Sequence, residues 1–293
     1  MAAPRRPGPK PLHRHSALAG EAARASAEVE AALFSIAPTN AAAFFDVDNT
    51  VMHGASLFHL ARGLHQRKVF STREIASAAW KQAYFRVVGV EDPAHIASAR
   101  NSALSFIAGH TVEEFRRMGE EIFEERMAHR IWPGTRALAQ RHLDLGQQVW
   151  LVTAAPQEIA EVIAARLGLT GAMGTLGESV NGVYTGRLVG ELLHGPHKAV
   201  AVAALAEREG LDLAACSAYS DSYNDLPMLS MVGDPCAINP DRRLREHARA
   251  QGWRIRDYRT GRKAARAGLL TGVVGGAVGG AVAAGLALRG RRQ

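Results

Sequence analysis

The sequence predicts an α/β protein with a mostly parallel β-sheet and helices on both faces of that sheet. From residue 131 onward, short apolar stretches alternate with helix-like stretches, an order typical of parallel sheets. The small and apolar residues 41–45 run directly into Asp46 and Asp48, as in a buried strand with carboxylates at its C-terminal end. Because open α/β sheets bind ligands at that edge, the functional site is expected beside these two aspartates.

The composition is that of a globular protein with a substantial core. The chain has 293 residues, of which 47% are hydrophobic and 22% are charged. Cys216 and Cys236 are too few for a disulfide framework, which favours a reducing compartment and two buried thiols. The twelve histidines lack the spacing of a zinc site.

The net charge of +7 belongs to the ends of the chain. Residues 1–39 carry five basic and three acidic side chains, residues 40–253 carry 21 and 24, and residues 254–293 carry nine and one. The slightly acidic middle argues against a nucleic-acid groove built into the fold.

Residues 1–38 are predicted to form a basic, partly disordered tail. Four prolines among basic residues in the first 15 positions cannot contribute to a core. The alanine-rich stretch from Ser16 to Ile36 has high helix propensity, and it is either a docked surface helix or a loose helical tail. Glu21 and Arg24 interrupt any apolar region of a secretory signal.

The spacing of the two aspartates that follow residues 41–45 indicates how their side chains are arranged. Side chains two residues apart on a strand project the same way, so Asp46 and Asp48 should lie side by side. Neighbouring carboxylates raise each other's pKa unless a cation or a shared proton compensates. The pair therefore indicates a metal site or an acid/base pair, and the alternative is a solvated turn.

Residues 55–130 are helical in character throughout. Thr111 and Glu114 have the spacing of a capping box, and apolar residues recur after them at helical spacing. A further helix is expected from Ser71 to Val88, and Pro93 separates it from a third.

The remaining chain, residues 131–258, alternates between helices and strands. The predicted elements are a helix to about Leu145, a strand over 148–152 ending at Thr153, a helix over 156–167, a strand-and-turn region over 172–188 with a hairpin at Asn181-Gly182, a helix over 198–209, a strand over 214–220, a helix over 225–231, a strand over 236–238 and a helix over 241–250.

Four motifs in order resemble those of the haloacid dehalogenase superfamily of phosphohydrolases. They are Asp46-Val47-Asp48-Asn49-Thr50 after the first strand, Thr153, Lys198, and Ser220-Asp221 through Asp225. Each motif alone is weak, but four in sequence are specific. Thr185-Gly186-Arg187-Leu188 and Asn239-Pro240-Asp241 most resemble subfamily IB, the phosphoserine phosphatase-like branch. The resemblance covers residues 40–258.

This resemblance implies a Rossmannoid parallel sheet with a small helical cap. Residues 39–54 and 131–258 would form the catalytic core, and residues 55–130 would form the cap inserted after the first strand. A cap covers the pocket, excludes water and selects the leaving group.

The resemblance also implies a role for each motif residue. Asp46 would be the nucleophile and Asp48 the general acid/base. Thr153 and Lys198 would bind the phosphate, with Asn224 assisting. Mg²⁺ would be held by Asp46, the Asp48 backbone carbonyl and Asp221, with Asp225 at or near the ion.

Three departures from the family pattern bear on the substrate. Ala154-Ala155-Pro156 replaces a serine and two glycines after Thr153, and Ser220 stands at a usual glycine position. The acid and arginine that hold the substrate in phosphoserine phosphatases have no counterpart in the cap, where Arg100 is a candidate by location only.

Residues 259–293 are predicted to hold a basic-flanked C-terminal hydrophobic helix. Gly268 to Leu288 lacks charged residues and would span ~31 Å as a helix, close to bilayer thickness. Gly272, Gly276 and Gly280 favour close helix packing and a homo-oligomer. The alternatives are a glycine-rich tail or a soluble packing helix.

The sequence therefore predicts a membrane-tethered, Mg²⁺-dependent phosphomonoester phosphatase that forms an aspartyl-phosphate. The flanking basic residues place the catalytic domain on the cytoplasmic side, where a small-molecule or lipid phosphate would be the substrate. No nucleic-acid partner is expected. The alternatives are a soluble, cytoplasmic phosphoserine phosphatase of serine biosynthesis and a non-catalytic membrane adaptor that retains the fold.

Overall fold

The structure is a computed structural model that describes residues 40–69 and 107–259. Its strands are β1 Ala42–Phe45, β2 Gln148–Pro156, β3 Gly171–Thr175, β4 Gly177–Val180, β5 Val183–Leu188, β6 Ser217–Ser220, β7 Asp234–Ile238 and β8 Arg254–Arg256. Six of them form one parallel sheet in the order β3-β2-β1-β6-β7-β8. The predicted fold class, an α/β protein with a parallel sheet, is confirmed.

The helices connect and cover these strands. They are α1 Ser56–Gln66, α2 Val112–Ile122, α3 Pro133–Asp144, α4 Gln157–Leu167, α5 Pro196–Glu209, α6 Leu226–Ser230 and α7 Arg242–Ala250. A π-helix, Phe123–Met127, and a 3₁₀ turn, Ala128–Arg130, continue directly from α2. Two more 3₁₀ turns, Leu213–Ala215 and Tyr223–Asp225, flank β6.

Local sequence signals explain where several elements begin. The predicted capping box is present, since the Thr111 side chain accepts from the Glu114 amide and the Glu114 side chain accepts from the Thr111 amide. Pro196 occupies the first turn of α5, where its missing N–H costs no helical hydrogen bond. Asp241 caps α7 by accepting from the Leu244 amide.

The hairpin predicted at Asn181-Gly182 joins β4 to β5. Both turn residues have positive φ, 52° and 78°, as a type I′ turn requires. Three backbone hydrogen bonds of 2.9 Å attach the hairpin to the segment that precedes and begins α2; they run from Gly109 N to Tyr184 O, from Tyr184 N to His110 O and from Val112 N to Gly182 O. The hairpin is thereby fixed to the region predicted as the cap.

Two apolar clusters lie on opposite faces of the sheet. Phe45 belongs to one cluster and its neighbour Phe44 to the other, as alternation along β1 requires. The Phe45 cluster includes Phe115 and Ile122 of α2, so this helix packs on that face. Both cysteines are buried as free thiols, as predicted.

Two predicted boundaries are wrong, and one strand was not predicted. The strand predicted over 214–220 begins only at Ser217, because Leu213–Ala215 forms a 3₁₀ turn. Strand β2 does not end at Thr153 but continues through Ala154 and Ala155 to Pro156, which pairs with Thr175 after a register shift. Proline is tolerated there because it is the last residue of the strand and need not donate a further bond. The short edge strand β8 was not predicted because two of its three residues are arginines, and strands were sought as apolar stretches.

Several predictions fall outside the described residues. They are the N-terminal tail with its helix, the helix from Ser71 to Val88, Arg100 and the C-terminal hydrophobic segment. Among the helices of residues 40–69 and 107–259, none combines the length and apolar character that crossing a bilayer needs. The division into core and cap remains a prediction.

Candidate active site

The predicted carboxylate pair lies at the C-terminal end of β1, in the centre of the sheet. Asp46 is buried, and its amide donates to the Tyr219 carbonyl of β6 at 2.9 Å. Asp48 is half-buried, and its Oδ1 accepts from the Ser56 amide at 2.8 Å. Ser56 is the first residue of α1, so Asp48 accepts from one of the amides that lack a helical partner at the start of that helix.

Lys198 connects two of the predicted aspartates. Its side chain is 3% exposed, and its Nζ donates to Asp46 Oδ1 at 2.5 Å and to Asp225 Oδ2 at 2.8 Å. Burial disfavours the charged amine, but the attraction of Asp46 and Asp225 outweighs it and raises the pKa of Lys198. The lysine is therefore a fixed cation between two carboxylates.

Asp225 is held by Ser220, a contact that was not predicted from the sequence. Ser220 Oγ donates to Asp225 Oδ2 at 2.7 Å and accepts from the Ser222 amide at 3.2 Å. The other carboxylate oxygen, Asp225 Oδ1, is buried without a hydrogen-bond partner among the described residues. The signal in the sequence was a hydroxyl at a usual glycine position, and the structure shows that it orients the aspartate.

The raised pKa of Asp221 shows that the negative charge of the site is not fully balanced. Burial raises the pKa of Asp221 to about 8, and the charge of Asp46 contributes to the rise. Burial likewise raises the pKa of Asp46 to about 6 against the opposing attraction of Lys198. Both carboxylates are therefore harder to ionise than a free aspartate, and Asp221 more so than Asp46.

Thr153 and Asn224 occupy different surroundings. Thr153 is buried in β2, next to β1, and its Oγ1 accepts from the Ala155 amide at 3.2 Å. Asn224 is exposed in the turn after β6, where its amide donates to Ser222 Oγ. The structure therefore places Thr153 on the strand that pairs with β1 and Asn224 on the protein surface.

Two residues to which the sequence analysis assigned no role in the site hold its loops in place. Thr175 Oγ1 donates to the Ala154 carbonyl at 2.9 Å and accepts from the Leu193 amide at 3.1 Å, linking the Thr153 strand to the approach to α5. Asn239 is buried, and its Nδ2 donates to the Asn49 carbonyl at 2.8 Å. No local pattern reveals such contacts, because the partners are far apart in sequence.

Two buried aromatic rings, one from β1 and one from β6, pack against each other. The ring of Tyr219 stacks on Phe45, with centroids 4.2 Å apart, and its hydroxyl lies 2.7 Å from His142 Nε2. Burial lowers the pKa of His142, which favours the neutral ring against tyrosine. The strand ends that carry Asp46 and Asp221 are thereby held at fixed positions.

The predicted Mg²⁺ fits the chemistry of these residues. Across residues 40–69 and 107–259, no three Asp, Glu, His or Cys side chains are grouped to hold an ion. Mg²⁺ commonly takes only one or two carboxylates and completes its shell with water and phosphate oxygens. The raised pKa of Asp221 and the unpartnered Asp225 Oδ1 indicate, for the described part of the chain, a site that lacks positive charge.

The fold and the acidic site together identify the class of protein. Residues 43–230 match the haloacid dehalogenase-like hydrolases, and the chain belongs to this family. The predicted family and the prediction of a phosphatase-class enzyme are confirmed, which removes the non-catalytic adaptor from consideration.

One known protein is similar to this chain in sequence, and two solved structures are similar to it in fold. The phosphoserine phosphatase SerB1 of Mycobacterium tuberculosis H37Rv is 58% identical over 229 residues, which cover 78% of this chain and 74% of the relative. A structure of unknown function from Bordetella pertussis Tohama I has 29% identity and a TM-score of 0.66, covering 75% of this chain and 99% of that one. A phosphoserine phosphatase with a phospho-aspartyl intermediate analogue has 20% identity and a TM-score of 0.50, covering 77% and 98%, and shows the shared fold.

Proposed function

We propose that the protein is a Mg²⁺-dependent phosphomonoester phosphatase that acts through an aspartyl-phosphate on Asp46. The observation that carries this proposal is the buried contact of Lys198 with Asp46 and Asp225. A buried cation beside a carboxylate at a sheet edge keeps that carboxylate ionised and offers charge to an incoming phosphate.

In the first half of the reaction, an oxygen of Asp46 attacks phosphorus while the bond from phosphorus to the leaving oxygen breaks. Asp48 gives its proton to that leaving oxygen, so the product alcohol departs neutral. The Ser56 amide holds Asp48 Oδ1, which leaves Oδ2 for the proton transfer.

In the second half, water replaces the alcohol. Asp48, now ionised, takes a proton from the water, whose oxygen attacks phosphorus as the bond to Asp46 breaks. Inorganic phosphate leaves, and Asp46 returns to its starting form. One carboxylate thus forms the covalent bond, and the other moves the proton in both directions.

The other residues neutralise and orient the phosphate. Lys198 stabilises the charge that accumulates on the phosphate oxygens, and Thr153 with the amides after it would bind one of them. Asp46, Asp221 and the Asp48 carbonyl would hold Mg²⁺, with Asp225 supporting them and Asn224 assisting at the rim. The metal, when bound, supplies Lewis-acid neutralisation of the phosphate.

For the substrate, we propose O-phosphoserine or a close small-molecule analogue. The support is the 58% identity to a relative named phosphoserine phosphatase. That relative's name favours the small-molecule alternative over the predicted lipid phosphate, and the predicted membrane tether lies outside the described residues. The predicted homo-oligomer has no support in the described residues.

The full chain is expected to release phosphate from O-phosphoserine in the presence of Mg²⁺ and to stop when EDTA is added. Phosphate release is measured before EDTA, after EDTA and after excess Mg²⁺ has been restored, because recovery separates metal removal from denaturation. Undiminished turnover in a metal-depleted sample would contradict the proposed cofactor. Mg²⁺-dependent turnover of other phosphomonoesters but not phosphoserine would contradict the substrate alone.

In the absence of a divalent cation, the free energy of unfolding is expected to lose a contribution from the acidic site as pH rises from about 4 to about 8. The folded pKa values of Asp46, about 6, and Asp221, about 8, lie above their unfolded value near 3.8. Protonation therefore stabilises the folded state at low pH, and this stabilisation is lost as pH rises through these values. Thermal melts in EDTA measure it.

Asp221→Asn isolates that contribution, because asparagine does not titrate. The variant should melt close to the wild type at pH about 4 and above it at pH about 8. Glu207→Gln, an exposed change on α5, is the control. A difference between wild type and Asp221→Asn that stays constant across this range would show that Asp221 is ionised throughout.

A further inference from the structure

The hydroxyl of Ser220 connects the sheet to the turn that carries Asp225. Ser220 is the last residue of β6, is fully buried, and pairs with Ala237 of β7. Asp225 ends the 3₁₀ turn that follows, and it is 1% exposed. Because Ser220 is fixed by strand pairing on both its backbone and its burial, its hydroxyl is a rigid partner for the aspartate.

The direction of the hydrogen bond between these two side chains follows from a third residue. The Ser222 amide donates to Ser220 Oγ at 3.2 Å, and an amide N–H can only donate. The hydroxyl proton is therefore left for Asp225 Oδ2, which lies 2.7 Å away. Asp225 Oδ2 also accepts from Lys198 Nζ at 2.8 Å, so two donors converge on this one oxygen.

Two donors on one oxygen restrict the rotation of the carboxylate. The terminal torsion of an aspartate is broad and roughly two-fold, so a lysine alone could contact either oxygen. The second donor selects one orientation, in which Oδ2 meets both donors and Oδ1 meets neither. Asp225 Oδ1 is buried and has no hydrogen-bond partner among the described residues, a state that is unfavourable unless a cation or a donor joins it.

Asp225 borders the residues proposed to hold Mg²⁺. Lys198 Nζ contacts Asp46 as well as Asp225, so the two carboxylates lie on one ammonium group. Asp221 directly follows Ser220 at the end of β6. The lysine satisfies only one oxygen of Asp225, and the other remains for a second cation or for water bound to that cation.

We propose that Ser220 is a positioning residue for the metal, which holds Asp225 Oδ2 on Lys198 and thereby keeps Oδ1 available to Mg²⁺ or its bound water. This inference rests on the proposed function. Without the hydroxyl, Lys198 would be the one donor to Asp225 within the described part of the chain, and the carboxylate would be free to turn. Loss of a group that orients a metal site from outside the coordination shell typically weakens metal binding by about 10- to 100-fold.

The test measures Mg²⁺ binding to the full chain by isothermal titration calorimetry without substrate, so the result does not depend on turnover. Ser220→Ala and Ser220→Gly should each raise the Kd for Mg²⁺ by about 10-fold or more. The matched control is Ser217→Ala, which should leave this Kd unchanged. Ser217 lies at the opposite end of β6, and its hydroxyl also donates to a carboxylate, Asp234 Oδ2, at 3.1 Å.

A double variant separates positioning from a general loss of stability. Asp225→Ala should itself weaken Mg²⁺ binding, and adding Ser220→Ala should weaken it no further, because the hydroxyl acts only through Asp225. Thermal melts in EDTA measure the stability of each variant apart from metal binding. If Ser220→Ala weakens binding by the same factor with and without Asp225, the hydroxyl does not act through this aspartate and the inference is wrong.

Failure of this inference and failure of the proposed function give different results. A wild type that binds Mg²⁺ and releases phosphate, beside a Ser220→Ala variant that binds Mg²⁺ equally well, would overturn this inference alone. A wild type that hydrolyses no phosphomonoester in the presence of Mg²⁺ would overturn the proposed function and this inference with it.

Discussion

Asp46→Asn is expected to lower kcat for phosphate release by about 10⁴-fold or more, the scale on which loss of a nucleophile acts. Asparagine keeps the shape of the side chain and its buried position, but its amide is neither anionic nor nucleophilic. The fold should remain, because the backbone bond from the residue 46 amide to Tyr219 does not involve the side chain. Phosphate release and a circular dichroism spectrum from one preparation measure both expectations.

The matched control for this change is Asp144→Asn, an exposed aspartate at the end of α3. It should leave kcat within about twofold of the wild type, as surface changes usually do. Asp48→Asn should slow both halves of the reaction, because both need its proton transfer. Near wild-type turnover in a homogeneous Asp46→Asn sample would disprove the assignment of the nucleophile.

Lys198→Met is expected to lower kcat by about 10²- to 10³-fold and to cost about 3–5 kcal/mol in the free energy of unfolding. Methionine has a similar length, so little cavity is created. The loss has an electrostatic cause, since Asp46 and Asp225 would remain buried without the cation that contacts both. Urea unfolding in EDTA gives the stability change, and phosphate release in Mg²⁺ gives the rate.

A double variant separates the two effects. Adding Asp225→Asn to Lys198→Met removes one uncompensated carboxylate, so part of the lost free energy of unfolding should return while kcat stays low. If the second change instead adds its full destabilisation to the first, the lysine and the aspartate are not energetically coupled, and the interpretation of Lys198 as a fixed counter-ion is wrong.

Much of the fold was predictable because its signals are local. The apolar run into Asp46, the capping box at Thr111 and the Asn181-Gly182 turn each specify their structure within a few residues. The end of β2 was not predictable, because its continuation to Pro156 depends on pairing with Thr175. The π-helix over Phe123–Met127 leaves no periodic mark that distinguishes it from the α-helix before it.

The candidate site was predictable in its composition but not in its contacts. The order of Asp46, Lys198 and Asp225 along the chain indicated which residues would meet. It did not indicate that Ser220 would hold Asp225, nor that Asn239 would fix the loop after Asp48. Such contacts depend on three-dimensional geometry between distant segments, for which a single sequence offers no local rule.

The central place of β1 in the sheet has a consequence for the order in which the chain acquires its structure. Ala43 pairs with Val149 on one side and with Ser217 on the other. During synthesis, the strand that leads into Asp46 therefore leaves the ribosome long before either neighbour exists. Contacts between such distant segments form slowly and leave strand edges exposed in the meantime. The reactive centre is a late product of folding, completed only after Ser217–Ser220 has been made.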